Sequence, residues 1–239
     1  MNNAILMASG ADIDIMVHGL ISYNVFGQTC WITTTHVCLL ILMIVLIGFF
    51  ILANRKIKKA SEVPDGFQNV IELIVEMLDN MVKGVMGANS VKFANYISTV
   101  FIFILMSNIS GVLGLRPPTA DYGVTFALGV MTFCLIQFNK FKYQHISGVL
   151  KGLCDPWPIW APINIISDIA VPISLSLRLF ANILSGTIIM ALVYGLLGWI
   201  ATFWPSVLHV YFDLFSGAIQ TYVFCMLTMT YINQAIDSE

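Results

Sequence analysis

Residues 37–53 read VCLLILMIVLIGFFILA, an uninterrupted apolar run that ends at the basic cluster 55–59. A transmembrane helix needs about 20 mostly apolar residues, because about 30 Å of hydrocarbon is crossed at about 1.5 Å per residue. Lysine and arginine are costly at the centre of a bilayer and common where a span leaves it. The stretch therefore predicts a membrane span over residues 31–54.

The composition of the whole chain also indicates a membrane protein. Of its 239 residues, 58% are hydrophobic and 10% are charged, and the mean hydropathy is +0.86, whereas about a quarter of the residues in a soluble domain are charged. The net charge of −2 leaves no basic surplus, which excludes nucleic-acid binding. The five cysteines are scattered and lack CxxC or Cys/His spacing, so we expect no disulfide framework, no metal and no cofactor.

Four later segments have the length and apolarity of membrane spans. They are residues 93–115, 123–139, 163–194 and 206–235. Residues 67–88 differ, because apolar residues at helical spacing take one face and charged residues the other, which predicts an amphipathic helix on the membrane surface or against a partner. No internal repeat divides the chain. The sequence predicts an all-α polytopic membrane protein with one domain, residues 1–239, in which residues 1–30 form an outer N-terminal segment.

The distribution of basic residues predicts the orientation. Arg178 apart, five spans place nine of the ten basic residues on one side and Arg116 alone on the other. By the positive-inside rule, the N-terminus lies outside and the C-terminus lies in the cytoplasm. No organellar targeting segment is visible, so we expect a multi-pass protein of the bacterial plasma (inner) membrane, although an organelle-encoded protein would also lack such a segment.

Three acidic or basic residues that are charged at neutral pH lie inside predicted spans: Asp168, Arg178 and Asp213. Each costs about 2.5 to 3.5 kcal/mol on insertion scales, so a functional role is the default expectation. Arg178 cannot lose its charge, and at 100° per residue Ser174 and Asn182 share its helix face. A positive charge surrounded by polar atoms near mid-membrane is the main functional feature of this sequence.

Polar residues also follow one face of the last predicted helix. On an ideal α-helix this face holds His209, Asp213, Gln220 and Tyr231, at steps of 4, 7 and 11. An aspartate and a histidine one turn apart can exchange a proton. Asp168 and Asp213 thus predict acidic entries on opposite sides of Arg178, as two separate half-paths. A simple open pore would not carry an arginine at its centre, because the arginine would repel cations.

Two other classes of protein fit part of this pattern. A self-contained cation transporter or channel would use the same three charges within one chain, but such proteins usually have internal repeats and matching broken helices, which this sequence lacks. A structural scaffold would pair Arg178 with a carboxylate such as Asp213, which leaves the polar faces unexplained. Nucleotide-binding and hydrolase motifs are absent, so we expect no catalytic chemistry on this chain alone.

Residues 172–185 read PISLSLRLFANILS, which resembles the signature of subunit a of rotary F-type ATP synthases, close to P-x-S-L-x-x-R-L-F-G-N. PPTAD at 117–121 and FDLFSGAIQTYVFCMLTMTYI at 212–232 extend the resemblance to about residues 15–235. It implies a stator whose last two helices are long and tilted against a ring of c subunits, with peripheral-stalk b subunits as further partners. Ions, H+ or Na+, would pass through two half-channels, turn the ring and drive ATP synthesis on other subunits.

The resemblance also implies residue roles. Arg178 matches the family's essential arginine, which faces the ring carboxylate and blocks leakage. Two residues match the inner half-channel, namely Asp168 and Ser174. Further residues are assigned to the outer half-channel and path lining, namely Asn182, Asp213, Gln220, His209 and Tyr231. Ala181 replaces the usual glycine, and Thr187 occupies a site often filled by Glu or His, so the outer path is expected to rely on Asp213.

Overall fold

The computed structural model describes residues 19–25, 28–58, 66–112, 117–154, 157–197, 208 and 210–237. Its long helices are α1 (Thr34–Ile57), α2 (Gly66–Met86), α3 (Ser90–Ile109), α4 (Tyr122–Cys154), α5 (Ala161–Leu197) and α6 (Gly217–Asp237). Short 3-10 turns occur at Gly87–Asn89, Pro118–Ala120 and Pro158–Trp160. A π-helical turn, Val210–Ser216, leads directly into α6.

Five helical segments in the described part of the chain are long and apolar enough to cross a membrane. They are Thr34–Ile57, Ser90–Ile109, Tyr122–Gln144, Ala161–Met190 and Val210–Ile236. The predicted all-α polytopic fold is therefore confirmed. The structure adds a small antiparallel hairpin of β1 (Gly19–Val25) and β2 (Gln28–Thr33) before α1. Both strands are rich in β-branched and aromatic residues, which suit extended backbone.

Two helices, α3 and α4, end six or more residues away from the ends of their predicted spans. α4 continues past residue 139 to Cys154. Lys140 and Lys142 end its apolar run but not its helix, because lysine is a good helix former and its long side chain can reach water. α3 stops at Ile109, before the predicted residue 115, and a turn at residues 110–112 follows, where Gly111 disfavours further helix.

α5 is longer than a perpendicular membrane span. Its 37 residues correspond to about 55 Å at about 1.5 Å per residue, against about 30 Å of hydrocarbon. A helix that exceeds the hydrocarbon thickness this far is accommodated by tilting. Pro172 lies inside α5, where it removes one backbone hydrogen bond without ending the helix.

The core lies where α3, α4, α5 and α6 meet, with α2 packed against α3 and α6. Its centre consists of fully buried large side chains, among them Ile97, Ile104, Leu179, Phe224 and Met229. α2 contributes one apolar face, with Ile71, Leu78, Val82 and Met86 buried, and exposes Glu72, Glu76 and Lys83. α2 thus has the amphipathic character that the sequence predicts.

α1 is less tightly attached than the other spans. Among its large apolar residues only Leu42 and Leu46 are buried, and most of the others face outward. An apolar groove of about 790 Å³ separates α1 from α3 and α4. Outward-facing apolar side chains are expected of a helix whose surroundings are lipid, because lipid tails are as apolar as leucine.

Candidate functional site

Arg178 lies near the middle of α5, on a face that is exposed in the part of the chain that the structure describes. The opposite face of α5 is buried through Pro172, Leu175, Leu179 and Gly186. The outer face is exposed and combines the arginine with small and apolar side chains, namely Ser174, Leu177, Ala181 and Ser185. The same helix therefore uses one side for packing and presents its charge on the other.

The guanidinium of Arg178 has no hydrogen-bond or ion-pair partner among the side chains that the structure describes, a set that does not include the side chain of Asp213. An arginine remains charged at any physiological pH. Charges within membrane spans face a bundle interior, an aqueous cavity or a partner group, because exposure to hydrocarbon is costly. This face of α5 is therefore a surface that another polar group or a partner must cover.

Asp168 lies ten residues before Arg178 on α5. Its side chain lines a cavity of about 270 Å³ between α4, α5 and α6. Its carboxylate accepts a hydrogen bond from Lys140 Nζ at 2.7 Å, which joins α5 to α4 by an ion pair. Six polar residues line the cavity, namely Gln137, Lys140, Gln144, Asp168, Tyr231 and Gln234. The Asp168 side chain is 37% exposed, so the carboxylate is accessible to a small ion or water.

The backbones of α4 and α5 meet next to this cavity. A Cβ atom on Gly129 would lie 2.7 Å from the carbonyl oxygen of Pro172, so only glycine fits at that point of α4. Pro172 has no N–H to donate to the carbonyl of Asp168, four residues earlier. The close approach fixes α4 against α5, and Lys140 lies three turns further along α4, where it meets Asp168.

Tyr231 lies on the same cavity as Asp168, which differs from its expected grouping with the outer residues. The reason is its place on α6, fourteen residues after Gly217, at the end of the helix that packs beside Asp168 rather than at the end that follows Asp213. Ser174 lies between Asp168 and Arg178 on the exposed face of α5. The structure thus brings Asp168, Ser174 and Tyr231 to one side of the arginine.

The other predicted residues lie around the start of α6. Asn182 Oδ1 accepts a hydrogen bond from Ser216 Oγ at 3.1 Å, which ties α5 to the π-helical turn one turn beyond Arg178. The Nε2 atom of Gln220 is buried and has no hydrogen-bond partner within the described residues. Asp213 belongs to the π-helical turn by its backbone, but its side chain lies outside what the structure describes, as does the whole of His209.

The π-helical turn changes the expected face of the last helix. On an ideal α-helix, Asp213, Gln220 and Tyr231 would share one face, but π-helical bonding from i to i+5 puts more residues in each turn. Val210–Ser216 adopts this geometry, so residues before Gly217 are rotated away from the line that the α-helical spacing predicts. The prediction of one continuous polar face is therefore wrong for this segment.

A buried hydrogen-bond network fixes the junction between the π-helical turn and α6. Asn108 Nδ2 donates to the carbonyl of Gly217 at 3.1 Å and to Thr221 Oγ1 at 3.3 Å. Asn108 Oδ1 accepts from Thr119 Oγ1 at 3.0 Å, and that hydroxyl lies 3.3 Å from Ser107 Oγ. The sequence signal was an asparagine within an apolar span, but its partners could not be identified from spacing.

Two exposed positions mark the departures from the family pattern. Ala181 lies on the exposed face of α5, and Thr187 donates its hydroxyl to the carbonyl of Ile183 at 2.9 Å. Within the described ranges, no group of three or more His, Cys, Asp or Glu side chains could hold a metal ion.

Five apolar spans, an arginine without a partner among the described side chains halfway along a 37-residue helix, and a cavity beside that helix with six polar residues in its lining define a polytopic membrane protein with charge inside a span. Residues 36–233 match the family model described as ATP synthase A chain. The chain belongs to this family, as the resemblance predicts.

Curated relatives of the same name are similar over most of their length. The chain is 36% identical to "ATP synthase subunit a, sodium ion specific" of Propionigenium modestum over 209 residues, which cover 80% of this chain and 71% of the relative. It is 32% identical to "ATP synthase subunit a 1" of Chlorobium luteolum, with 95% of this chain and 96% of the relative covered. It is 34% identical to "ATP synthase subunit a" of a Sulfurihydrogenibium species, with 83% and 94% covered.

Proposed function

We propose that this chain is the ion-translocating stator subunit a of an F-type ATP synthase. It passes H+ or Na+ through two half-channels to and from carboxylates of a c-subunit ring. The observation that carries the proposal is Arg178, which is exposed and unpaired within the described residues although it lies halfway along a membrane span. A ring carboxylate is the partner that such an arginine requires.

The inner half-channel is the cavity beside Asp168. Its polar lining and the exposure of the Asp168 carboxylate support a path for a hydrated ion or a proton. Ser174 continues the polar surface from the cavity toward Arg178, and Tyr231 lines the opposite wall. Lys140 neutralises Asp168 in the ion pair, which limits the tendency of the cavity to retain a cation that must leave it.

The outer half-channel begins near the π-helical turn. Asp213 is the acidic entry, with His209 beside it, and Gln220 and Asn182 lead from there toward the ring. The buried and unpaired Nε2 of Gln220 supports this route, because a buried polar atom without a protein partner is costly unless water reaches it. The hydrogen bond between Ser216 and Asn182 holds the turn next to α5.

Arg178 separates the two half-channels. Its charge attracts an emptied ring carboxylate and favours the ionised form. It also repels a cation that would pass directly from one half-channel to the other. Each ion therefore crosses the membrane only while it is bound to a carboxylate of the ring, and the flow of ions turns the ring.

The energy source is the membrane potential together with the ion gradient. A unit charge that crosses 100 mV releases about 2.3 kcal/mol, so several ions are needed for each ATP. ATP chemistry takes place on other subunits, and this chain performs no bond-making step itself. Its partners are the c-ring, the peripheral-stalk b subunits and the rest of the complex, in the bacterial inner membrane with the N-terminus outside and the C-terminus in the cytoplasm.

The test is ATP-driven ion uptake into proteoliposomes that contain the whole complex. Arg178→Ala should reduce coupled uptake to background and raise passive leakage under an imposed potential, while the amount of assembled complex stays unchanged. Lys56→Ala, which removes an exposed cation at the end of α1, is the matched control and should pump normally. Normal uptake by Arg178→Ala would overturn the proposal.

The same assay identifies the ion. The relative from Propionigenium modestum is named as sodium ion specific, so uptake is measured with and without sodium and with a protonophore. Sodium uptake that persists with the protonophore indicates Na+ as the coupling ion. Acidification of the vesicle interior that needs no sodium indicates H+.

A further inference from the structure

Two lysines on different helices share one tyrosine at the end of the bundle where α3 begins. Lys92 Nζ donates a hydrogen bond to Tyr143 Oη at 2.9 Å and lies 5.3 Å from the centroid of the tyrosine ring. Lys142 Nζ lies 5.9 Å from the same centroid. Both lysine side chains are exposed, and Tyr143 is half-buried. Both ammonium groups therefore lie within 6 Å of the centre of one ring.

This pair of cations has no counter-charge within the described residues. The neighbouring lysines Lys83 and Lys140 each have a carboxylate within 4 Å, but no ion pair is present for Lys92 or Lys142. Like charges at short range repel each other, and the repulsion is strongest where the dielectric constant is lowered by a membrane. An anion between the two lysines would relieve it.

The surroundings of the pair are apolar rather than polar. Phe138 is 64% exposed and lies one turn before Lys142, Phe141 is 51% exposed, and Val91, next to Lys92, is 82% exposed. Exposed aromatic and aliphatic side chains directly beside exposed lysines are typical of the boundary between headgroups and hydrocarbon. A ligand for this surface therefore needs an anionic group joined to an apolar part.

We propose that Lys92, Lys142 and Tyr143 bind the phosphate of an anionic phospholipid between α3 and α4. The two ammonium groups would contact phosphate oxygens, and the Tyr143 hydroxyl, which accepts its hydrogen bond from Lys92, keeps its own hydrogen to donate to the phosphate. The acyl chains would cover Phe138 and Phe141. Basic pockets between membrane helices are a known mode of recognition for acidic headgroups. The site is independent of the proposed ion path.

The test uses the whole complex in phosphatidylcholine nanodiscs that contain increasing fractions of a photoreactive phosphatidylglycerol, with labelled peptides identified by mass spectrometry. In the unmodified complex, label should appear on peptides of this chain next to Lys92 and Tyr143. In Lys92→Gln/Lys142→Gln, the fraction of lipid needed for half-maximal labelling should rise about 30-fold, because each lysine near an anionic surface contributes about fivefold.

Three controls keep the result interpretable. Lys56→Gln/Lys83→Gln removes the same charge elsewhere and should label normally, and Lys92→Arg/Lys142→Arg keeps the charge and should retain most of the labelling. Tyr143→Phe should give a smaller rise than the double glutamine variant. Complex that assembles in equal amount in all variants shows that labelling, and not folding, has changed.

Several outcomes would overturn the proposal. One is an unchanged labelling curve in Lys92→Gln/Lys142→Gln, and another is equal labelling by a photoreactive phosphatidylcholine. Inorganic phosphate tests the other source of the same chemistry. If it displaces the lipid probe completely, the site recognises free phosphate and the lipid assignment is wrong, whereas persistent labelling supports the lipid.

Discussion

The polar groups at the two ends of α6 differ in their hydrogen bonding and exposure. At the start of the helix, Asn108, Thr119, Gly217 and Thr221 form one buried network in which the amide of Asn108 uses both its oxygen and its nitrogen. At the far end, polar side chains line the cavity beside Asp168, and the Asp168 side chain is 37% exposed. One end is closed by protein hydrogen bonds, and the other is left accessible.

The difference shows where this protein can admit water. A polar group sealed in the bundle must be paired, because an unpaired one costs about 1 to 3 kcal/mol. α6 also carries three buried polar atoms without partners in the described chain, Gln220 Nε2 beside the network and Thr228 Oγ1 and Asn233 Oδ1 after it. Polar atoms are tolerated in this state mainly where water can reach them, so we expect water near these three positions, although Phe224, Met229 and Ile232 of the same helix lie in the apolar core.

The largest effect on stability is expected from disruption of the buried hydrogen-bond network at the start of α6. Asn108→Leu removes the three buried hydrogen bonds that join Asn108 to Thr119, Gly217 and Thr221, so we expect a loss of about 2 to 4 kcal/mol. The measurement is the thermal dissociation of this chain from the detergent-solubilised complex. Thr230→Val, which removes an exposed hydroxyl on the same helix, should change little. An Asn108→Leu complex as stable as the unmodified one would show that the network carries no stability.

An intermediate effect is expected where α4 and α5 touch beside the open end. Gly129→Ala places a methyl group 2.7 Å from the Pro172 carbonyl oxygen, and such overpacking costs about 1 to 3 kcal/mol. Gly84→Ala is the matched control, because nothing lies within 4 Å of its added Cβ and alanine favours a helix by about 1 kcal/mol. The same dissociation assay should therefore shift in opposite directions for the two variants. A shift in the same direction would refute the close contact.

The smallest effect is expected at the cavity itself. Lys140→Gln removes the ion pair with Asp168, but both side chains are partly exposed, 21% and 37%, and pairs of this kind contribute about 0 to 1 kcal/mol. Dissociation should hardly change, while ATP-driven uptake should change because Asp168 loses its counter-charge. Asp168→Asn provides the reciprocal variant and should be similarly stable. A loss of stability as large as that of Asn108→Leu would mean that this end is closed as well.

Much of the fold could be predicted from composition and periodicity. Apolar runs such as 37–53 are long enough to define spans, and the charges of α2 define its exposed face. Composition and periodicity did not predict the hairpin of β1 and β2 or the extension of α4 to Cys154. Short strands and helix ends depend on local contacts more than on apolarity. The residues around Arg178, at positions 172–185, predicted the family, and the match to the family model confirms it.

Most residues of the candidate site could be predicted from the sequence. Which of these residues lie close together was harder to predict. Asp168 and Arg178 stand out because charges are rare in spans. Tyr231 was expected with the outer residues and lies on the cavity beside Asp168, since spacing on a wheel gives the face of a residue but not its height relative to another helix. Lys140 was missed as the partner of Asp168, because an ion pair between residues 28 positions apart depends on helix packing that the sequence does not display.

The π-helical turn at Val210–Ser216 accommodates one more residue than an α-helical turn, because its bonds run from i to i+5. Deletion of one residue inside this turn would leave an ordinary α-helix, and the segments on its two sides would keep their directions. Positions before the turn and positions after Gly217 are therefore related by a spacing one residue longer than in an unbroken α-helix. Sequence comparisons of this segment should thus tolerate a gap of one residue without a change in the helix on either side.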